Sequence, residues 1–147
     1  MAVRGWRTYF LVMGDGLEGV GIRVLLVEDY DDARQLYAEF LRHHGYEVIE
    51  AIDGVEAVRL ARERLPDLVV LDIAIPRLDG FGVLRAIRAD PTTASMLVLT
   101  LSASIGSQYP SAALASGATR ALGKPCLPDE LLEAIEGLLK ARRTVAE

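Results

Sequence analysis

The feature that most constrains this chain is a series of short apolar runs, each stopping in polar or charged residues. The clearest lies in residues 67–80, where Leu68 to Leu71 run without a polar break into Asp72, between Pro66 and Pro76. An unbroken apolar run of this length suits a strand buried on both faces, and such strands build parallel sheets. Asp72 then falls at the strand's carboxyl end, where open α/β sheets bind their ligands. Pro76 and Gly80 turn the chain just beyond it.

The pattern recurs along the chain. Ile22 to Val27 predicts a first strand, ending in Glu28 and Asp29. Asp31 and Asp32 open a helix, where negative charge suits the positive end of the dipole. Its apolar stripe reads as Ala33, Leu36, Phe40 and Leu41, and His43, His44 and Gly45 end it. Tyr46 to Ala51 predicts a second strand. Asp53 and Glu56 then form a capping-box-like pair for a helix reaching about Arg64, with Val55, Val58, Ala61 and Leu65 on one face. After the Asp72 stretch, Asp79 and Gly80 start a third helix carrying Phe81, Leu84 and Ile87, stopped by Asp90 and Pro91. Met96 to Leu101 is a fourth strand running into Ser102 and Ala103. Pro110 suits the first turn of a fourth helix that ends at Gly117. Thr119 to Gly123 is a short fifth strand before Lys124 and Pro125. A last helix starts at Pro128 with Leu131, Leu132, Ile135, Leu138 and Leu139, and Lys140, Arg142 and Arg143 complement its dipole. Strands alternating with helices predict an α/β fold, a parallel sheet covered by helices on both faces.

A chain of 147 residues suits one domain, and 51% hydrophobic residues suffice for its core. The net charge of -5 argues against direct nucleic-acid binding. The single cysteine, Cys126, excludes an intramolecular disulfide and zinc ligation by cysteine pairs. The apolar patch from Tyr9 to Met13 is too short for a membrane span or a signal core, and a cytoplasmic protein is expected. Residues 1–21 contain five glycines and no clear period, and are read as a loosely ordered extension before a domain at 22–143 and a short tail at 144–147. Met13 is an alternative start, and Trp6, Tyr9 and Phe10 are an alternative docking segment.

In a parallel sheet the strand ends share one rim. Glu28, Asp29, Asp72, Ser102 and Lys124 would therefore converge. Crowded carboxylates repel one another unless a cation intervenes, and oxygen ligands of this kind are what Mg²⁺ prefers. With Lys124 as a second positive charge, such a site suits a phosphoryl group. A carboxylate can be the nucleophile that forms an aspartyl-phosphate. Ser102 could donate a hydrogen bond to it. Thr100 is a competing hydroxyl, but it lies mid-strand, whereas Ser102 stands at the strand end.

These residues resemble the response-regulator receiver family, the CheY-like fold of two-component signalling, over about residues 22 to 140. The resemblance is carried by Glu28-Asp29, by Asp72, Pro76 and Asp79-Gly80, by Ser102-Ala103, by Ser116-Gly117-Ala118 and by Lys124-Pro125, all in family order. It implies a doubly wound, flavodoxin-like sheet of strand order 2-1-3-4-5 with five helices. It makes Asp72 the phosphoacceptor, with Ser102 and Lys124 contacting the phosphoryl group. Asp29 and Asp72 would ligate Mg²⁺ directly, Glu28 mainly through water, and Ala74 through its backbone carbonyl. The donor would be a phosphohistidine on a sensor histidine kinase or a histidine phosphotransfer protein. Self-catalysed phosphotransfer and dephosphorylation would be its only reactions. The output would pass by protein contacts to a downstream effector, since few residues follow the last helix. The face of the fourth helix, fifth strand and last helix is the implied docking surface, and it also offers a route to a homodimer.

The chain departs from the family pattern at three points. Ala121 stands where a Tyr or Phe usually precedes the lysine by three residues, so the aromatic rotamer switch cannot operate there. Tyr109 is the nearest substitute, and its position before Pro110 reads first as a surface loop. Leu127 replaces a polar helix cap. Two other classes compete: a phosphorylation-independent interaction module, and a haloacid-dehalogenase-like phosphatase. The latter typically carries an Asp two residues after its nucleophile, where this chain has Ala74.

Overall fold

The computed structural model describes residues 21–103 and 108–146, with side chains described to residue 142. Residues 1–20 of the proposed extension, with the alternative start at Met13 and the docking reading of Trp6, Tyr9 and Phe10, lie outside the described residues. Each predicted apolar run forms a strand: β1 (Arg23–Val27), β2 (Glu47–Ala51), β3 (Leu68–Asp72), β4 (Leu97–Ser102) and β5 (Arg120–Gly123). They alternate with α1 (Asp31–His43), α2 (Gly54–Arg64), α3 (Gly80–Ala89), α4 (Tyr109–Ala115) and α5 (Pro128–Ala146). Every pairing is parallel and the order is β2-β1-β3-β4-β5, the flavodoxin-like arrangement expected from the resemblance.

The sheet separates two cores because side chains alternate across it. Leu25, Val27, Val69, Leu71 and Val98 face α2, α3 and α4. Val24, Leu26, Leu68, Val70, Leu99 and Leu101 face α1 and α5. All five residues of β3 are buried, which explains why its sequence lacks alternation. β3 pairs with both β1 and β4, so Asp72 is held at the centre of the carboxyl rim.

Two helical stripes differ from expectation. On α1, Tyr37, Ala38 and Leu41 are buried while Leu36 is exposed. The Tyr37 hydroxyl reaches inward and donates to the Cys126 carbonyl at 2.6 Å, which rotates the buried face towards it. On α2, Ala57, Val58 and Ala61 are buried while Val55 is exposed. Small Ala57 and Ala61 let this helix sit close on the sheet, a role that apolarity alone does not reveal. On α5, Leu131, Ile135 and Leu139 are buried, and Leu132 and Leu138 are partly so.

The starts of α2 and α3 are fixed by the expected acids, whereas α1 begins after Tyr30 without a side-chain cap. Asp53 accepts from the Glu56 backbone N–H at 2.8 Å, and Glu56 reaches back to the Ile52 N–H at 3.3 Å, a capping box displaced by one residue. Asp79 caps α3 by accepting from the Gly82 N–H at 2.9 Å. Two glycines let these helix starts close on the segment after Asp72. A Cβ on Gly54 would lie 1.7 Å from the Leu78 carbonyl oxygen, and one on Gly80 would lie 2.5 Å from the Ile73 Cα. Arg77, at φ 72, donates to Asp53 at 3.3 Å and adds a further tie.

Candidate functional site

The rim brings the predicted residues together. Glu28 and Asp72 are buried, at 2% and 5% exposure, whereas Asp29 is exposed. One carboxylate oxygen from each of Glu28, Asp29 and Asp72 lies within 4.8 Å of the others. The Lys124 ammonium enters from β5 and donates to Glu28 Oε1 at 2.7 Å and to Asp72 Oδ2 at 2.9 Å. The second Asp72 oxygen accepts from the Ala74 N–H at 3.0 Å, which orients the carboxylate. Ala74 is exposed beside it. Ser102 is buried at the end of β4, and its carbonyl accepts from the Lys124 N–H at 2.8 Å. That bond closes the rim between β4 and β5. The Lys124–Pro125 peptide is cis.

Arg34 supports the acidic pair from α1, a role that the sequence reading missed. Its guanidinium donates to the Glu28 carbonyl at 3.0 Å, to Glu50 at 3.1 Å and to Asp31 at 2.7 Å. It thus joins the end of β1 to β2 and α1. An arginine five residues after Asp29 was the available signal, but a helical arginine is ordinarily a solvated one.

Charge in the cluster is out of balance: three carboxylates face one ammonium. Burial pushes the Glu28 carboxyl above its ordinary value; its bond to Lys124 opposes this, and the neighbouring Asp72 reinforces it. Burial alone would lower the Lys124 ammonium, but its bonds to Glu28 and Asp72 outweigh burial and raise it. The Lys124 shift expresses the negative charge around it, which favours bound cations, whereas the Glu28 shift comes first from burial. The donor set is hard oxygen on a rim that one lysine does not neutralise, which fits a divalent cation such as Mg²⁺.

Below Ser102 and Lys124 lies a neutral hydrogen-bonded unit. Tyr109, the first residue of α4, is buried at 7% exposure rather than sitting on a surface loop. Its hydroxyl lies 2.8 Å from Thr100 Oγ1 and donates to the Leu122 carbonyl at 2.9 Å. Thr100, the competing hydroxyl, is fully buried and engaged there, two residues inside the strand end where Ser102 stands. No helix among the described residues is long and apolar enough to cross a membrane.

The chain matches the family described as response regulator receiver domain over residues 24–136. It is 40% identical over 124 residues to the transcriptional regulatory protein PrrA of Mycobacterium tuberculosis, covering 84% of this chain and 52% of that protein. It is likewise 40% identical over 119 residues to the response regulator MprA of Mycobacterium sp. (strain KMS), covering 81% and 51%. The chain therefore spans about half the length of the curated relatives it matches. Among solved structures it resembles the chemotaxis response regulator CheY4 of Vibrio cholerae, with a TM-score of 0.74 and 31% identity over 78% of this chain and 96% of that one. It also resembles a chain of the CheX–CheY–BeF3–Mg complex of Borrelia burgdorferi, with a TM-score of 0.77 and 26% identity over 84% and 98%. With its sheet order and its acidic rim, the chain belongs to the response regulator receiver domain family.

Proposed function

We propose that this domain accepts a phosphoryl group on Asp72 from a phosphohistidine of a sensor kinase or phosphotransfer protein, and signals through protein contacts. The observation that carries this reading is the pairing of Lys124 with both Asp72 and Glu28 in a rim that keeps excess negative charge. An Asp72 carboxylate oxygen attacks the phosphorus as the phosphorus–nitrogen bond breaks. The electron pair of that bond returns to the imidazole, and an acyl phosphate remains. The Ala74 N–H holds one Asp72 oxygen and so fixes the carboxylate plane. Lys124, already bonded to the other oxygen, is placed to stay with the incoming phosphoryl charge. Ser102, buried at the adjoining strand end, supplies a hydroxyl to a phosphoryl oxygen. Glu28, Asp29, Asp72 and the Ala74 carbonyl are the groups that would hold Mg²⁺. The ion would neutralise charge on the phosphoryl oxygens and assist the water that later removes the group.

The reading is tested by incubating the protein with acetyl phosphate and Mg²⁺ and measuring its intact mass. The wild type should gain one phosphoryl mass and Asp72→Asn should gain none. An unmodified wild type with acetyl phosphate, phosphoramidate and a phosphorylated histidine donor alike would favour a phosphorylation-independent module.

A further inference from the structure

Tyr109 sits where two strand ends meet. Thr100 precedes Ser102 by two residues on β4, and Leu122 precedes Lys124 by two on β5. Side chains two apart on a strand share a face, so Thr100 and Ser102 point to the same side of the sheet. The Lys124 N–H to Ser102 carbonyl bond ties the strands at the rim. The Tyr109 hydroxyl ties them again just below it. Giving the single phenolic proton to Leu122 leaves the Thr100 hydroxyl as donor in the other bond, so all three groups are satisfied together. Ala121 pairs with Thr100 in register and packs on the core that contains Tyr109, and its small side chain leaves room for the ring.

We propose that Tyr109 couples occupancy of the Asp72 site to the start of α4. The proposal rests on the phosphoacceptor reading and adds the route by which that site acts on the fold. Its hydroxyl is a clip between β4 and β5. Separating it from β5 would strand the Leu122 carbonyl, and separating it from β4 would leave Thr100 Oγ1 only its longer 3.5 Å bond to the Arg120 carbonyl, so the three groups move as a unit. Ser102 and Lys124 lie one side-chain step beyond the clip. A phosphoryl group that draws them in shifts Thr100 and Leu122, and Tyr109 carries that shift into the first turn of α4. Because coupling is reciprocal, a partner bound to α4 in the shifted form would in turn favour the occupied site.

The test uses beryllofluoride with Mg²⁺ as a phosphoryl mimic. Occupancy is read by fluorine NMR and the response of α4 by amide hydrogen exchange. In the wild type, occupancy should change exchange in the first turn of α4 by about fivefold or more. In Tyr109→Phe, and separately in Thr100→Val, the bound fluoride signal should persist while the α4 change falls below about twofold. Thr100→Ser keeps the hydroxyl and should keep the response. A wild-type-sized response in Tyr109→Phe with fluoride bound overturns the clip, as does a wild type that binds fluoride without any change in α4. A wild type that binds no fluoride overturns the phosphoacceptor reading itself.

Discussion

The two halves of the carboxyl rim are held by different physics. The β1–β3 half is ionic: Glu28 and Asp72 share the Lys124 ammonium, and Arg34 braces the end of β1. The β4–β5 half is neutral: Thr100, Tyr109 and the Leu122 carbonyl satisfy one another in a buried setting. The ionic half carries an unbalanced charge and is built to receive something. The neutral half is complete as it stands and is built to hold two strands and a helix together. Lys124 belongs to both, since its side chain lies among the acids and its backbone N–H closes β5 onto β4.

Breaking the ionic half should have the largest functional effect. Lys124→Met removes the ammonium bonded to both buried acids, and phosphorylation-dependent change should be lost even where Asp72 still takes up phosphate. Metal-free stability should fall by about 3–5 kcal/mol if the two acids remain ionised, because breaking a buried pair strands a charge. Urea unfolding with and without Mg²⁺ checks this, and the loss should shrink when the cation is present. A Lys124→Met protein as stable as the wild type without Mg²⁺ would mean that the acids are already relieved by protonation or solvent.

Breaking the neutral half should cost less and leave the chemistry intact. Tyr109→Phe strands the Leu122 carbonyl and leaves Thr100 Oγ1 only its 3.5 Å bond to the Arg120 carbonyl, at a cost of about 1–3 kcal/mol. Thr100→Val should cost about the same, and the double variant less than the sum, because the two groups share one bond. Chemical denaturation of the four proteins gives the coupling directly. Additive losses would show that the hydroxyls do not act together. Salt sharpens the contrast further: the effect of Lys124→Met on stability should change with ionic strength, whereas that of Tyr109→Phe should not.

The acids of the ionic half were legible in the sequence because each follows an unbroken apolar run, and a parallel sheet gathers all such ends on one side. Arg34 was not, since nothing in a helical arginine says which carbonyl it will meet. Tyr109 was misread for a similar reason. It stands in a polar stretch, and its partners, Thr100 and Leu122, lie on two different strands. Its burial becomes readable only once Ala121 is seen as leaving room beside Thr100. Leu36 and Val55 were misplaced because several apolar stripes fit each helix, and the packed one was chosen by Tyr37 on α1 and by Ala57 and Ala61 on α2. The smallest predicted effects test those corrections: Leu36→Ala and Val55→Ala, both at exposed positions, should change stability by no more than about 0.5 kcal/mol, whereas Leu41→Ala should cost about 2–5 kcal/mol.

Cys126 offers a check on the region behind the rim. It is buried, and burial raises its thiol above the ordinary value, so it should be protonated at neutral pH and alkylate slowly in the native state. Reaction should quicken as pH rises through that raised value, measured as the rate of iodoacetamide labelling. Labelling at the rate of the unfolded chain would show that α5 opens readily from β5.

The account turns on which carboxylate takes the phosphoryl group. Borohydride reduces an acyl phosphate to an alcohol, and peptide mass mapping then locates the altered residue. After treatment with acetyl phosphate and Mg²⁺, the account predicts reduction at Asp72 alone, in the wild type and in Tyr109→Phe alike. Reduction at Glu28 or Asp29, or equal reduction in Asp72→Asn, would contradict it.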